Sequence, residues 1–344
     1  METPDIEYCE HCEVTAKELI YTFPTNPVIT TQSTSENSKA KDWAHAYEPI
    51  SSLAVHTYVV EGECYGTFDG PFLPLLEDDE LRLSQPGTYP NRRVWRIDTE
   101  ADVATWFNAE ISDVVLAAWP THPMVLQNSQ MRATHFSQSR HQVADSTYTI
   151  AMNVPIQKIP VAVGEFKHCM IDAAEWQSGK LRSDAQKTLS RELRGYACMY
   201  QCPQVFCFDG HTLLILQFRA SKPEKMIKKD LGVDCWVLPR RNGDNGGTQL
   251  RAALYRLIAQ GFRRCQVIDG PVVPVGGIFP TGREFFSGLP LWLDKQRHHP
   301  LAYYRCADIY HGSLYWGYGD EPVVDDFGHA VWDSISWWEH EDED

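Results

Sequence analysis

The chain has 344 residues, enough for one large domain or two modest ones, and 43% are hydrophobic against 22% charged, which excludes a disordered or low-complexity protein. Its 31 basic and 46 acidic residues give a formal charge of -15, which repels phosphate at long range and counts against non-specific nucleic-acid binding. No apolar run approaches the roughly 18–20 residues that cross a bilayer, the N-terminus lacks a basic-then-apolar leader, and ten scattered cysteines default to reduced thiols. The expectation is an intracellular protein with no membrane partner, nucleus or cytoplasm being unresolved.

In chain order, Cys9 and Cys12 form the only close cysteine pair, and without a second pair they need distant residues to build a zinc site. Residues 22–42, rich in Thr, Ser, Asn and Pro, read as a polar linker. Residues 99–119 read as an amphipathic helix capped by Thr99 or Asp98, with Val103, Phe107, Ile111 and Val114 on one face and Pro120 as the stop. An extended segment from about Gln142 to Met152, a turn through 153–155 and a strand over about 159–167 suggest neighbouring strands. That strand closes on Glu165-Phe166-Lys167, whose alternation sends the carboxylate and the ammonium to the same side and His168 to the other. Such a pair is often merely solvated at a strand end, but beside a second carboxylate it suits metal chemistry, and Asp145 is the candidate.

A second helix opens at Ser183 or Asp184 and reaches about Gln201, with Leu189, Leu193, Tyr196 and Tyr200 at core spacing and Pro203 beyond its end. Lys187, Arg191 and Arg194 lie at i, i+4 and i+7 on it, a basic stripe able to track a phosphate backbone or simply to face solvent. Residues 204–208 and 212–218 read as strands around an Asp209-Gly210 turn. Between Lys158 and Arg264 there are 18 basic and 10 acidic residues, so this region opposes the acidity of the rest. Lys222, Lys225, Lys228 and Lys229 form a surface cluster, and the glycine-rich 242–247 lacks the residues of a nucleotide cradle. A helix from Leu250 is expected to end at Gly261, leaving Arg263 and Arg264 beyond it, favoured by the helix dipole. Residues 301–318 suggest a hairpin turning at His311-Gly312, Trp332, Trp337 and Trp338 add apolar area, and 339–344 form an acidic tail.

The order helix, strand, strand, helix, strand, with Asp145 ahead of Glu165-x-Lys167, resembles the PD-(D/E)XK nuclease superfamily. More closely it is similar to fungal proteins with a PD-(D/E)XK nuclease-like domain, which share a Glu-Ala-Asp-Val-x-x-Trp-Phe helix, a Gly-Glu-Phe-Lys strand end and an Arg-Glu-Leu-Arg-Gly-Tyr-Ala helix. The resemblance covers about residues 95–265, with Ala144 standing where the family name has proline. It implies an α/β fold, a restriction-endonuclease-like αββαβ core with a mixed central sheet flanked by helices. To this are added an N-terminal region over 1–94 and an aromatic-rich C-terminal extension over 266–338 packed on the core. It implies further that Asp145 and Glu165 bind Mg²⁺ or Mn²⁺, that Lys167 positions the attacking water or stabilises the developing charge, and that a first-helix acid completes the site. Glu100 is the choice for that acid, being assigned to the Val103, Phe107 and Ile111 side of the helix, with Glu110 about 80° away from it at about 100° per residue. The implied activity is a metal-dependent nuclease acting on DNA or RNA. The alternatives are a catalytically silent scaffold for a protein or small molecule, or another enzyme using the aromatic C-terminal third as a pocket.

Overall fold

Strands buried on both faces need continuous apolar sequence, and Gln204–Phe208 and Thr212–Phe218 supply it, every residue of both being buried. They sit at the centre of the structure, a computed structural model that describes residues 14–30, 41–121, 123–132, 143–152, 157–241, 246–268, 272–308 and 313–334. The Cys9/Cys12 pair, the turn through 153–155, positions 242–245 of the glycine-rich stretch, the His311-Gly312 turn, Trp337, Trp338 and the acidic tail lie outside the described residues.

Seven strands form one mixed sheet: β1 (Leu53–Val55), β2 (Val125–Asn128), β3 (Ser146–Met152), β4 (Gln157–Phe166), β5 (Gln204–Phe208), β6 (Thr212–Phe218) and β7 (Val233–Pro239). Their spatial order is β1-β7-β6-β5-β4-β3-β2. β4 runs parallel to β5, β7 parallel to β1, and the other pairs are antiparallel. Helices cover both faces: α1 (Glu100–Phe107), a π-helical turn Asn108–Ser112, α2 (Asp113–Leu116) and α5 (Leu250–Ile268) on one, α3 (Ala173–Gln177) and α4 (Asp184–Tyr200) on the other. The molecule is therefore mixed α/β with a central mixed sheet between helices.

The first helix forms where its cap and apolar face require. Thr99 Oγ1 accepts from Asp102 N while the Asp102 carboxylate accepts from Thr99 N, a reciprocal cap. Val103, Phe107, Ile111 and Val114 are all buried, and the Phe107 ring lies 5.3 Å from Phe166 and 5.4 Å from Phe206. The π turn is the departure from the expected single α-helix. It absorbs one extra residue, and Ser112 then meets Tyr148 and Gln127.

A β-bulge in β4 decides which way the strand end points. Pairing with β3 slips between Pro160 and Ala162, leaving Val161 as the extra residue. Ile159, Val161 and Ala162 all pack on the α1/α5 side, whereas Val163 packs against Tyr196 and Met199 of α4. One residue of slip reverses every later side chain, so the bulge aims Glu165 and Lys167 at α4. It also accounts for a proline inside a central strand.

The bulge explains why α5 does not end where the sequence suggested. Gly261 lies inside the helix, which runs on to Ile268. A Cβ there would stand 1.8 Å from the Val161 carbonyl oxygen, so glycine serves the contact between helix and strand, not a helix stop. Arg263 and Arg264, expected beyond the helix, are instead inside it and buried. Arg263 binds Asp78 and Asp79, and Arg264 donates to the Pro160 carbonyl (2.7 Å) and to Gln204 Oε1 (3.1 Å). The expected linker over 22–42 is also corrected. Val28–Thr30 pairs in parallel with Trp95–Ile97, and Asn26 is buried against Glu110. Residues 31–40 lie outside the described set.

Beyond α5, Tyr304–Ala307, Leu314–Tyr318 and Glu321–Pro322 form a three-stranded antiparallel sheet over a small core of Val275, Trp292, Trp316, Val323 and Val331. It is joined to the main sheet through Phe285, which packs on the α4-side core, and through the Phe286 carbonyl, which accepts from Gln204 (2.8 Å). Trp332 remains 41% exposed. Among the described residues no helix is long and apolar enough to cross a membrane.

Candidate metal centre

The end of β4 lies between the start of α1, the start of β3 and the middle of α4. Asp145 sits in the step just ahead of β3, and its Oδ2 accepts from the Phe166 backbone N–H at 2.9 Å, which brings it beside Glu165. Because Asp102 is committed to the helix cap, Glu100 is the first-turn acid left to project towards that strand end. One carboxylate oxygen from each of Glu100, Asp145 and Glu165 lies within 4.8 Å of the others, Glu100 exposed, Asp145 half-buried and Glu165 fully buried. Glu110 is elsewhere. Its Oε1 accepts from Asn26 and from the Trp95 indole, both at 2.6 Å, a structural role under the N-terminal segment.

Lys167 emerges on the same side as Glu165 and is buried with it. Its Nζ donates to Glu165 Oε1 (2.6 Å) and to Glu192 Oε1 (3.0 Å). Burial opposes its charge, but the Glu165 and Glu192 carboxylates outweigh burial and hold the ammonium well above its ordinary pKa. It is thus a fixed cation and not a base. Glu165 is pushed up by burial and drawn down more strongly by Lys167 and Lys41, so it stays ionised. Burial first and the Glu165 charge second push both Asp145 and Glu192 up to about 7.

Three members of this cluster were not read as site residues. Glu192 lies on the buried face of α4, one turn before Tyr196, and an acid among Leu189, Leu193 and Tyr196 was a usable signal. Tyr196, read as core, is core packing and also a hydrogen-bonding wall. Lys41 comes from the stretch whose composition predicts a linker. Its Nζ lies 2.8 Å from Glu165 Oε1, 3.7 Å from Glu192 Oε1 and 2.6 Å from Tyr196 Oη. Glu165 Oε2 and Glu192 Oε2 are buried with no hydrogen-bond partner among the described residues. Orphaned carboxylate oxygens beside two further acids are what a cation site requires.

The basic stripe does not survive as a surface. Arg194 is fully buried and donates to the Ile227 and Lys228 carbonyls, which removes it from any phosphate path. Arg191 is half-buried, and Lys187 is half-buried with Asp184 at 3.8 Å. Lys222, Lys225, Lys228 and Lys229 are exposed as expected. His168 is buried, Cys202 and Cys207 are packed, and Cys198 is half-buried. No protein-family model matches the chain, and comparison with curated proteins gives no match.

Proposed function

We propose that the chain is a divalent-metal-dependent phosphodiester hydrolase that cuts DNA or RNA. The observation that carries the proposal is the convergence of Glu100, Asp145 and Glu165 within 4.8 Å, with the Lys167 ammonium 2.6 Å from Glu165. Supporting it is the element order: the first helix, three antiparallel strands β2, β3 and β4, helix α4, then β5 parallel to β4, compatible with a restriction-endonuclease-like core. An all-carboxylate donor set suits a hard ion such as Mg²⁺ or Mn²⁺. When bound, such an ion supplies Lewis-acid charge beside the scissile phosphate.

The chain's own residues supply the rest. Asp145 and Glu165 would hold the ion from the buried side and Glu100 from the exposed side. Lys167, permanently charged, gives two of its three donors to Glu165 and Glu192 and directs the third to the attacking water or to a phosphoryl oxygen. Water attacks phosphorus and gives up a proton to solvent, the P–O bond to the leaving oxygen breaks, and that oxygen takes up a proton from solvent. Substrate enters over the Glu100 side, the only exposed acid of the three.

A second reading, a small-molecule binding scaffold, is favoured by a cavity of about 520 Å³ between the core and the C-terminal unit, lined by Phe72, Arg263, Tyr303, Arg305 and Trp316. The deciding experiment is cleavage of single- and double-stranded DNA and RNA with Mg²⁺ or Mn²⁺, comparing the native chain with Glu165→Gln, Lys167→Ala and an EDTA control. Metal-dependent cutting lost in both variants is expected. A folded native chain that neither cuts nor binds metal overturns the nuclease reading in favour of the scaffold.

A further inference from the structure

We infer that Lys41 fills the position a second cation would take, so that the centre holds one divalent ion and not two. The inference rests on the metal-centre reading and adds to it a stoichiometry and the residue that sets it. Glu165 Oε1 already faces two ammonium groups, Lys167 at 2.6 Å and Lys41 at 2.8 Å. Glu192 Oε1 faces the same two, at 3.0 and 3.7 Å. What remains for an ion is the other edge of Glu165, where Oε2 has no hydrogen-bond partner among the described residues, together with Asp145 and Glu100. Lys167 is buried against that edge and Lys41 is the partly exposed cation on it, so a second ion reaching Glu165 and Glu192 from solvent would need the place Lys41 takes.

Charge gives the same answer. With all four acids (Glu100, Asp145, Glu165, Glu192) ionised, the two ammonium groups and one divalent ion balance them. A second ion would leave two uncompensated positive charges beside Glu165, Glu192 and Lys167, all of them buried. Lys41 is also held in place. Its Nζ lies 2.6 Å from Tyr196 Oη, and Trp43, two residues on, packs edge-on to the Tyr196 ring at 5.2 Å. Trp43 reaches α4 only because residue 195 is glycine, where a Cβ would stand 2.3 Å from its ring.

The test counts Mn²⁺ per chain, by electron paramagnetic resonance of free Mn²⁺ and by calorimetry with the metal alone, on the full chain. The native protein and Lys41→Arg are expected to bind one ion, and Lys41→Met and Lys41→Gln two. Circular dichroism checks that each variant is folded. Two ions on the native chain, or one on folded Lys41→Met and Lys41→Gln, overturn the inference and leave the metal centre standing. No Mn²⁺ on any chain removes the metal centre and this inference together.

Discussion

Asp145 is ionised only at a cost. Its carboxyl is pushed up to about 7, by burial first and by Glu165 second, from an unfolded-chain value of about 3.9. Because the folded value is the higher one, the charged form is the one the fold disfavours. The penalty is absent below about pH 4, grows as pH rises and is complete above about 7. Asp145→Asn removes the charge and keeps an oxygen to accept from Phe166 N–H. In EDTA the variant should be more stable than the native chain near pH 8, by about 1–3 kcal/mol, and indistinguishable near pH 4. Thermal unfolding at both pH values checks this, and a variant less stable near pH 8 would refute it. Lys167 has the opposite character. Lys167→Met leaves buried Glu165 and Glu192 with Lys41 as their remaining cation and should cost up to about 3–5 kcal/mol, read from urea midpoints. Loss of cutting in Lys167→Ala must therefore be judged beside its stability. Strand alternation put Glu165 and Lys167 on one side, and the family resemblance with the helical wheel pointed to Glu100. Neither could expose Lys41, whose place depends on a tyrosine 155 positions away.

At the level of elements, alternation and caps were enough to locate α1, α4 and the strands β3 to β6. They were not enough to locate the bulge in β4, because nothing in Ile159-Pro160-Val161-Ala162 says which residue will be left unpaired. The misreading of Gly261 has the same origin. Glycine ends many helices, and only the bulged strand beneath reveals that this one is an approach point. Replacing glycine by alanine within a helix ordinarily stabilises it by about 1 kcal/mol. Here the sign should reverse, with Gly261→Ala costing about 2–4 kcal/mol, since the helix must lift from the Val161 carbonyl or the strand must shift. Chemical denaturation measures it, and a neutral or stabilising result would mean that the contact between α5 and β4 is slack. Arg263 and Arg264 follow from the same geometry, being carried by the extra turns onto Asp78, Asp79 and the Pro160 carbonyl.

For the molecule as a whole, a bound ion is linked to folding. If one Mn²⁺ binds the folded chain and not the unfolded one, ion at about a hundredfold over its dissociation constant stabilises by about 2.7 kcal/mol. The melting temperature should rise with Mn²⁺ in the native chain and stay flat in Glu165→Gln; a rise in both would place the ion elsewhere. The sheet's outer parts escaped sequence analysis for a global reason. Three-residue β1 has no pattern of its own and exists because β7 offers it an edge. That pairing joins Leu53 to Val233, about 180 residues later. At about 5–20 residues per second, a chain leaving the ribosome keeps β1 waiting roughly 10–40 seconds for its partner. Lys41 waits with it, since Glu165 and Glu192 are also made later. The carboxylate cluster has its last member at Glu192, so its side chains are all made before β7 arrives to close the sheet on β1 and hold them in a fixed frame.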